Sequence, residues 1–190
     1  MKPLQYFSEM LDYPQPNLPQ RINECRANLI QAGFPDIANL LNDLEGLAKN
    51  SPDGMLQDIY TSIFDLNPSF YPYVGFHLFG ESHFRSLFMV ELKKRYREHG
   101  FTKEKELPDH FSVMLEFIAR NTEAELGKEL IADALLPVLE KLYSSTKDTE
   151  EKETSGKGLP HASYYNMLLA LLLLLKEIDS QNSTSKGGGK

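Results

Sequence analysis

The sequence predicts an all-α protein, a single-domain helical bundle. Apolar residues recur at the three-and-four spacing of amphipathic helices along almost the whole chain. No stretch alternates apolar and polar residues between turn signals, the pattern of a half-buried strand. The interruptions fall where proline, glycine and asparagine gather, which is where helices stop.

Tyr6, Phe7, Met10 and Leu11 make the first apolar stripe, closed by YPQPNLP at residues 13–19. Ile22, Cys25 and Leu29 place a second helix that ends near Gly33. Ile37, Leu40, Leu41, Leu44 and Leu47 make a third, and Met55, Ile59, Tyr60, Ile63 and Phe64 a fourth. DLNPSFYPYVGFHLFG, residues 65–80, is too rich in proline and glycine to be one continuous helix. The stripe resumes with Phe84, Leu87, Phe88, Leu92 and Tyr96, and Gly100 supplies a C-terminal stop. Phe111, Met114, Leu115 and Ile118 define the next helix. Leu126, Leu130, Leu135, Val138, Leu139 and Leu142 define another, with a kink expected at Pro137. Ser144–Gly158 is polar and charged without apolar anchors, so a mobile loop is expected there. A last helix is expected from near His161 to Ser180, followed by a disordered tail over residues 181–190. Residues 1–180 thus form one helical domain.

Composition narrows the function. A chain of 190 residues with 41% hydrophobic content has enough apolar surface for a substantial core. The net charge of −7 argues against nucleic acid, which requires a basic face, and suits a cationic partner such as a basic peptide. The single cysteine, Cys25, excludes an internal disulfide and a paired-cysteine metal site. The N-terminal stretch lacks the charged leader and unbroken apolar run of a signal peptide. MLLALLLLL, Met167 to Leu175, is about half the length of a membrane span and reads as a buried helix. A cytoplasmic protein with no membrane insertion is the expectation.

Catalytic and metal-binding patterns are missing from the sequence. There is no GxSxG, no phosphate-binding glycine loop, and no HxxxH or HExxH among His77, His83, His99, His110 and His161. The expectation is a protein that is not an enzyme and holds no metal and no cofactor of its own. ELPDH, Glu106 to His110, stands directly ahead of an apolar helix. Pro108 suits a first helical turn, where its missing N–H costs nothing, and Asp109 suits the positive end of the helix dipole. His110 is not explained that way; next to Asp109 it adds a titratable donor to an acceptor. Phe70, Tyr71, Tyr73, Phe76 and Phe79 crowd the connection before Gly80, where stiffening prolines make them either core plugs or a platform for a peptide. Asp58, Asp65, Glu81 and Asp109 are the acids available to complement a basic ligand.

From about Tyr60 to Arg120 the sequence resembles the molybdoenzyme-specific chaperones of the TorD/DmsD/NarJ superfamily, and most of all the NarJ-like branch and the chaperones of type II DMSO-reductase-family enzymes. The resemblance rests on YPYVGFHLFGESHFRSLFMVELKKRYREHGF, residues 71–101, and ELPDHFSVMLEFIA, residues 106–119. It implies an all-helical, TorD-like fold without catalytic activity. It implies a cytoplasmic chaperone that binds the N-terminal, twin-arginine-type segment of the catalytic subunit of a molybdenum oxidoreductase. The apo-subunit would be held until bis-molybdopterin guanine dinucleotide is inserted, before export or assembly. Glu106, Pro108, Asp109 and His110 match the superfamily's acid–x–Pro–Asp–His element on a peptide groove. Tyr71, Pro72 and Tyr73 fall where relatives carry aromatics and prolines, and Asp65 and Phe76 join them as peptide-binding residues. The chain has no tryptophan, which some relatives place in that region. Both a monomer and a helix-swapped dimer fit this reading, the latter through the Ser144–Gly158 loop. A non-catalytic adaptor or structural subunit of another complex is the alternative.

Overall fold

The computed structural model describes residues 2–52, 54–66, 70–121, 124–150 and 159–186. Among these residues the regular structure is entirely helical, as the apolar spacing predicts. In chain order the helices are α1 (Lys2–Met10), α2 (Leu18–Gln31), α3 (Pro35–Asn39), α4 (Asn42–Asn50), α5 (Met55–Thr61), α6 (Val74–Phe79), α7 (His83–Glu98), α8 (Phe111–Arg120), α9 (Glu125–Glu129), α10 (Leu136–Glu150) and α11 (Leu159–Lys186). Wide π-helical turns at Ser62–Leu66 and Leu130–Leu135 extend α5 and join α9 to α10.

Helix α8 is the axis of the fold. Every residue from Phe111 to Ile118 is buried, because FSVMLEFI is apolar on nearly every side. α1 packs along α8, and the buried Ser8 hydroxyl donates to the Ser112 carbonyl at 2.8 Å. Glu116, the one acid on α8, is nearly buried and accepts from Lys103 Nζ at 2.6 Å. α2 packs on α1 and α4, tied by the Arg21–Glu9 and Arg26–Glu45 ion pairs. α11 covers α4 and α10, burying Met167, Leu171, Leu172, Leu174 and Leu175 in the core, where the apolar run was expected.

Several boundaries differ from the sequence reading. The third expected helix is two, broken at Leu40–Leu41, where Asn39, Asn42 and Asp43 are weak helix formers and a break costs little. The proline-rich connection contains a short helix, α6. Pro137, where a kink was expected, closely follows the π-helical turn Leu130–Leu135 in a helical run that is otherwise unbroken from Glu125 to Glu150. α10 runs to Glu150, so the expected loop begins as helix, and its remainder lies outside the described residues. α11 continues to Lys186, past the expected stop at Ser180, and the last part of the expected tail lies outside the described residues.

The largest difference concerns α7. Leu92 and Tyr96 are buried and Phe88 is half-buried, but Phe84 and Leu87 face solvent. The end of α7 follows expectation. Gly100 has φ +67°, its N–H donates to the Arg97 carbonyl at 3.0 Å, and Phe101 N–H reaches back to the Tyr96 carbonyl at 2.9 Å. This is a Schellman stop, closed by the Phe101 ring against Tyr96 at 5.3 Å.

Candidate functional site

The aromatic connection and ELPDH, remote in sequence, form one node. Val74 N–H donates to the Asp109 carbonyl at 2.8 Å and Phe111 N–H to the Pro72 carbonyl at 2.9 Å. Tyr73 and His110 between them make an isolated antiparallel bridge. Pro72 lacks an N–H but lends its carbonyl, so proline does not prevent this pairing. The Tyr96 hydroxyl donates to the Pro108 carbonyl at 3.1 Å, tying the end of α7 to the same node.

Two of the motif's titratable members, Asp109 and His110, face inward. α8 begins at Phe111 and its N-cap is His110, so Pro108 and Asp109 stand ahead of the helix and not in its first turn. His110 Nδ1 accepts the Ser112 backbone N–H at 3.1 Å and the Ser112 hydroxyl at 2.7 Å, which fixes the ring proton on Nε2. Burial pushes the His110 pKa down to about 4 against the opposing pull of Asp12 and Asp109. Asp109 is fully buried and does not cap the helix. Its Oδ2 accepts from Arg85 Nε at 2.9 Å, and the Arg85 guanidinium lies over the Tyr73 ring at 5.1 Å. The other oxygen, Oδ1, is buried without a protein partner.

The accessible rim of the node is aromatic and acidic. Tyr71 is exposed and packs on Phe76 at 4.3 Å between ring centroids, while its carbonyl accepts from His77 Nε2 at 2.8 Å. Tyr73 is half-exposed, and its hydroxyl pKa is raised by burial and then by Glu106, Asp65 and Asp109. The charges of Asp65 and Glu106 thus both act on the Tyr73 hydroxyl, a relation the sequence leaves open. Asp12 acts on both His110 and Tyr60, and the adjoining Tyr13 meets Tyr60 edge-on at 5.7 Å. Nothing in the sequence marks Asp12 here; it follows α1, which packs on α8, and it pairs with Lys103 at 3.7 Å. Asp58 and Glu81 are exposed and do not join the rim. Of the connection's aromatics, Phe70 is a core plug against Phe64 and Phe111, whereas Tyr71 and Phe79 stay exposed.

Comparison with known proteins bears on what this node belongs to. Residues 27–149 match the family model described as nitrate reductase delta subunit. The chain belongs to the nitrate reductase delta subunit family. A Bacillus subtilis (strain 168) protein assigned as the nitrate reductase molybdenum cofactor assembly chaperone NarJ is 28% identical over 176 residues, covering 92% of this chain and 88% of the relative. The nitrate reductase molybdenum cofactor assembly chaperone NarJ of Escherichia coli (strain K12) is 28% identical over 188 residues, 94% of this chain and 72% of the relative. A crystal structure of an Archaeoglobus fulgidus protein assigned as a redox enzyme maturation protein superposes with a TM-score of 0.58 at 24% identity, covering 93% of this chain and 94% of that one. The last likeness concerns the fold alone.

The node lies inside the span that defines the nitrate reductase delta subunit family, and these relatives are named as assembly chaperones, not catalysts. The protein is not an enzyme. Among the described residues, no group of His, Cys, Asp and Glu is arranged to hold a metal ion, and no helix is long and apolar enough to cross a membrane. Of the nominated site residues, Pro72, Asp109 and His110 are buried and build the node, while Asp65, Tyr71, Tyr73, Phe76, Glu106 and Pro108 keep exposed surface. Asp109 and His110, expected on a peptide groove, have almost no exposed surface here. The requirement they meet is internal: one anchors Arg85 and the other caps α8.

Proposed function

We propose that this protein is a cytoplasmic assembly chaperone for the catalytic subunit of a molybdenum oxidoreductase of the nitrate reductase type. It binds the N-terminal, twin-arginine-type segment of that subunit and holds the apo-protein while bis-molybdopterin guanine dinucleotide is inserted, before export or assembly. The observation that carries this reading is the acidic, aromatic rim of the node, within a chain whose relatives are named for molybdenum cofactor assembly. Asp65 and Glu106 supply negative charge for the basic residues of such a segment, and Tyr71, Tyr73 and Phe76 supply apolar faces for the residues beside them. Asp109 and His110 support the rim from beneath.

Calorimetric titration with the N-terminal peptide of the co-encoded catalytic subunit tests the binding. Cofactor content of that subunit, expressed with and without the chaperone, tests the consequence. Saturable one-to-one binding and a cofactor-poor subunit in the absence of the chaperone are expected. A peptide that does not bind, or a subunit that fills equally well alone, would overturn the reading.

A further inference from the structure

The exposed Tyr71 ring stands on a connection with little to hold it. Tyr71 lies outside regular structure, and Pro72 after it has no N–H to offer. Among the described residues, the hydrogen bond that reaches Tyr71 is the one its carbonyl accepts from His77 Nε2, at 2.8 Å. His77 is on α6, and a helical side chain leans toward the N-terminus of its helix, here back toward Tyr71. A carbonyl only accepts, so Nε2 carries the proton. Burial lowers the His77 pKa, opposed by the Tyr71 carbonyl and helped by the Lys141 charge, so the ring is neutral at neutral pH.

The imidazole is itself fixed from two sides. It stacks on Phe70 with centroids 5.7 Å apart and planes 27° from parallel, and it meets Phe76 edge-on at 5.9 Å. Phe70 is buried against Phe64 and Phe111, so the stack is rooted in the core. Tyr71 in turn packs on Phe76 at 4.3 Å. His77 therefore joins a buried ring, a half-buried ring and the backbone of an exposed one. A binding surface that is ordered beforehand spares the free energy of ordering it when the ligand arrives. We infer that His77 is the positioning residue of the peptide site: it clamps the Tyr71 carbonyl so that Tyr71 and Phe76 present a fixed apolar platform to the catalytic subunit's N-terminal segment. This rests on the rim being the peptide site proposed above, and adds the residue that sets its shape. His77 acts through Tyr71 and not by touching the peptide.

Calorimetric titration of the full chain with the N-terminal peptide of the co-encoded catalytic subunit tests this. His77→Phe keeps a ring to stack on Phe70 but loses the donor, whereas His77→Gln keeps an N–H at the reach of Nε2. His77→Phe is expected to bind the peptide about fivefold more weakly, the equivalent of one hydrogen bond, with the circular dichroism of the native fold. His77→Gln is expected to recover most of that loss. Tyr71→Ala is expected to weaken binding in the wild-type background, but by less than about twofold when added to His77→Phe, because the platform is then already unheld. A merely structural role would leave the two losses additive. Nitrogen NMR of the imidazole gives a check without peptide, and is expected to show His77 as the Nε2–H tautomer. With wild type binding the peptide, unchanged affinity in His77→Phe, additive losses, no recovery in His77→Gln, or an Nδ1–H tautomer would overturn the inference alone. A wild-type chain that does not bind the peptide would overturn the reading beneath it, and the inference with it.

Discussion

The Asp109 carboxylate occupies the space in which residue 75 would carry a side chain. A Cβ on Gly75 would lie 2.6 Å from Asp109 Oδ2 and 3.1 Å from the Phe88 ring. Gly75 is helical with an ordinary backbone, so its requirement is close approach and not torsional freedom. The missing side chain lets α6 lie directly on the Asp109–Arg85 pair, which joins the aromatic connection, α7 and the start of α8.

Gly75→Ala is therefore expected to destabilise the protein, although alanine is the better helix former. The Oδ2 contact is too short to absorb, so the carboxylate must move away from Arg85 Nε. A loss of about 1–3 kcal/mol, the usual range for overpacking a core, is expected in urea unfolding. Stability equal to or above wild type would show that the pair has room to move.

Arg85→Met leaves the Asp109 carboxylate buried with no cation. Breaking a buried pair from one side costs about 3–5 kcal/mol, because the remaining charge is uncompensated. Arg85→Met combined with Asp109→Asn removes both charges and is expected to recover a large part of that loss. Thermal melts of the two single variants and the double variant close the cycle. Additive effects would mean that the two side chains are not coupled.

His110 makes stability depend on pH in a defined window. Its pKa is pushed down to about 4 in the fold, below the ordinary value of 6.5. Between those values the unfolded chain binds a proton that the native protein does not, so stability rises with pH across the window. The contribution is complete above the ordinary value and is lost as pH falls toward 4, by about 3 kcal/mol in total. Asn at position 110 keeps an N-cap acceptor without a titrating ring. The difference between wild type and His110→Asn in unfolding free energy is expected to change through this window and to be flat above it. A difference independent of pH would mean that His110 titrates normally in the folded protein.

How much of this was legible in the sequence follows from the range of the interactions. The helices were, because the spacing of Phe111, Met114, Leu115 and Ile118, or of Leu171, Leu174 and Leu175, is a local pattern that burial then satisfies. The stop at Gly100 was equally local. The node was legible only as two motifs. That Asp109 meets Arg85 and leans on Gly75 depends on the bridge between Tyr73 and His110, which no local rule supplies. The exposed face of α7 was misread for a related reason. Apolar spacing marks Phe84 and Leu87 together with Leu92 and Tyr96, but which side of a helix finds a neighbour is decided by the rest of the fold.

The burial of Asp109 separates two kinds of acid in the node, and peptide binding is expected to distinguish them. Asp65 is exposed and Glu106 half-exposed, so neutralising them as Asp65→Asn with Glu106→Gln removes charge from the rim without leaving a buried group unsatisfied. Rim charges are worth up to about 1 kcal/mol each, so the double variant is expected to bind the client's N-terminal peptide about 5- to 30-fold more weakly. The deficit is expected to shrink as salt screens the wild-type attraction. Asp109→Asn, in contrast, is expected to lower the melting temperature through its lost pairing with Arg85, while the fraction that remains folded keeps its affinity. Calorimetric titrations at low and high salt, run beside thermal melts of the same variants, measure both effects. If Asp109→Asn weakened binding well below its melting temperature and the rim variant did not, the peptide would be contacting the buried acid and the rim would be bystander surface.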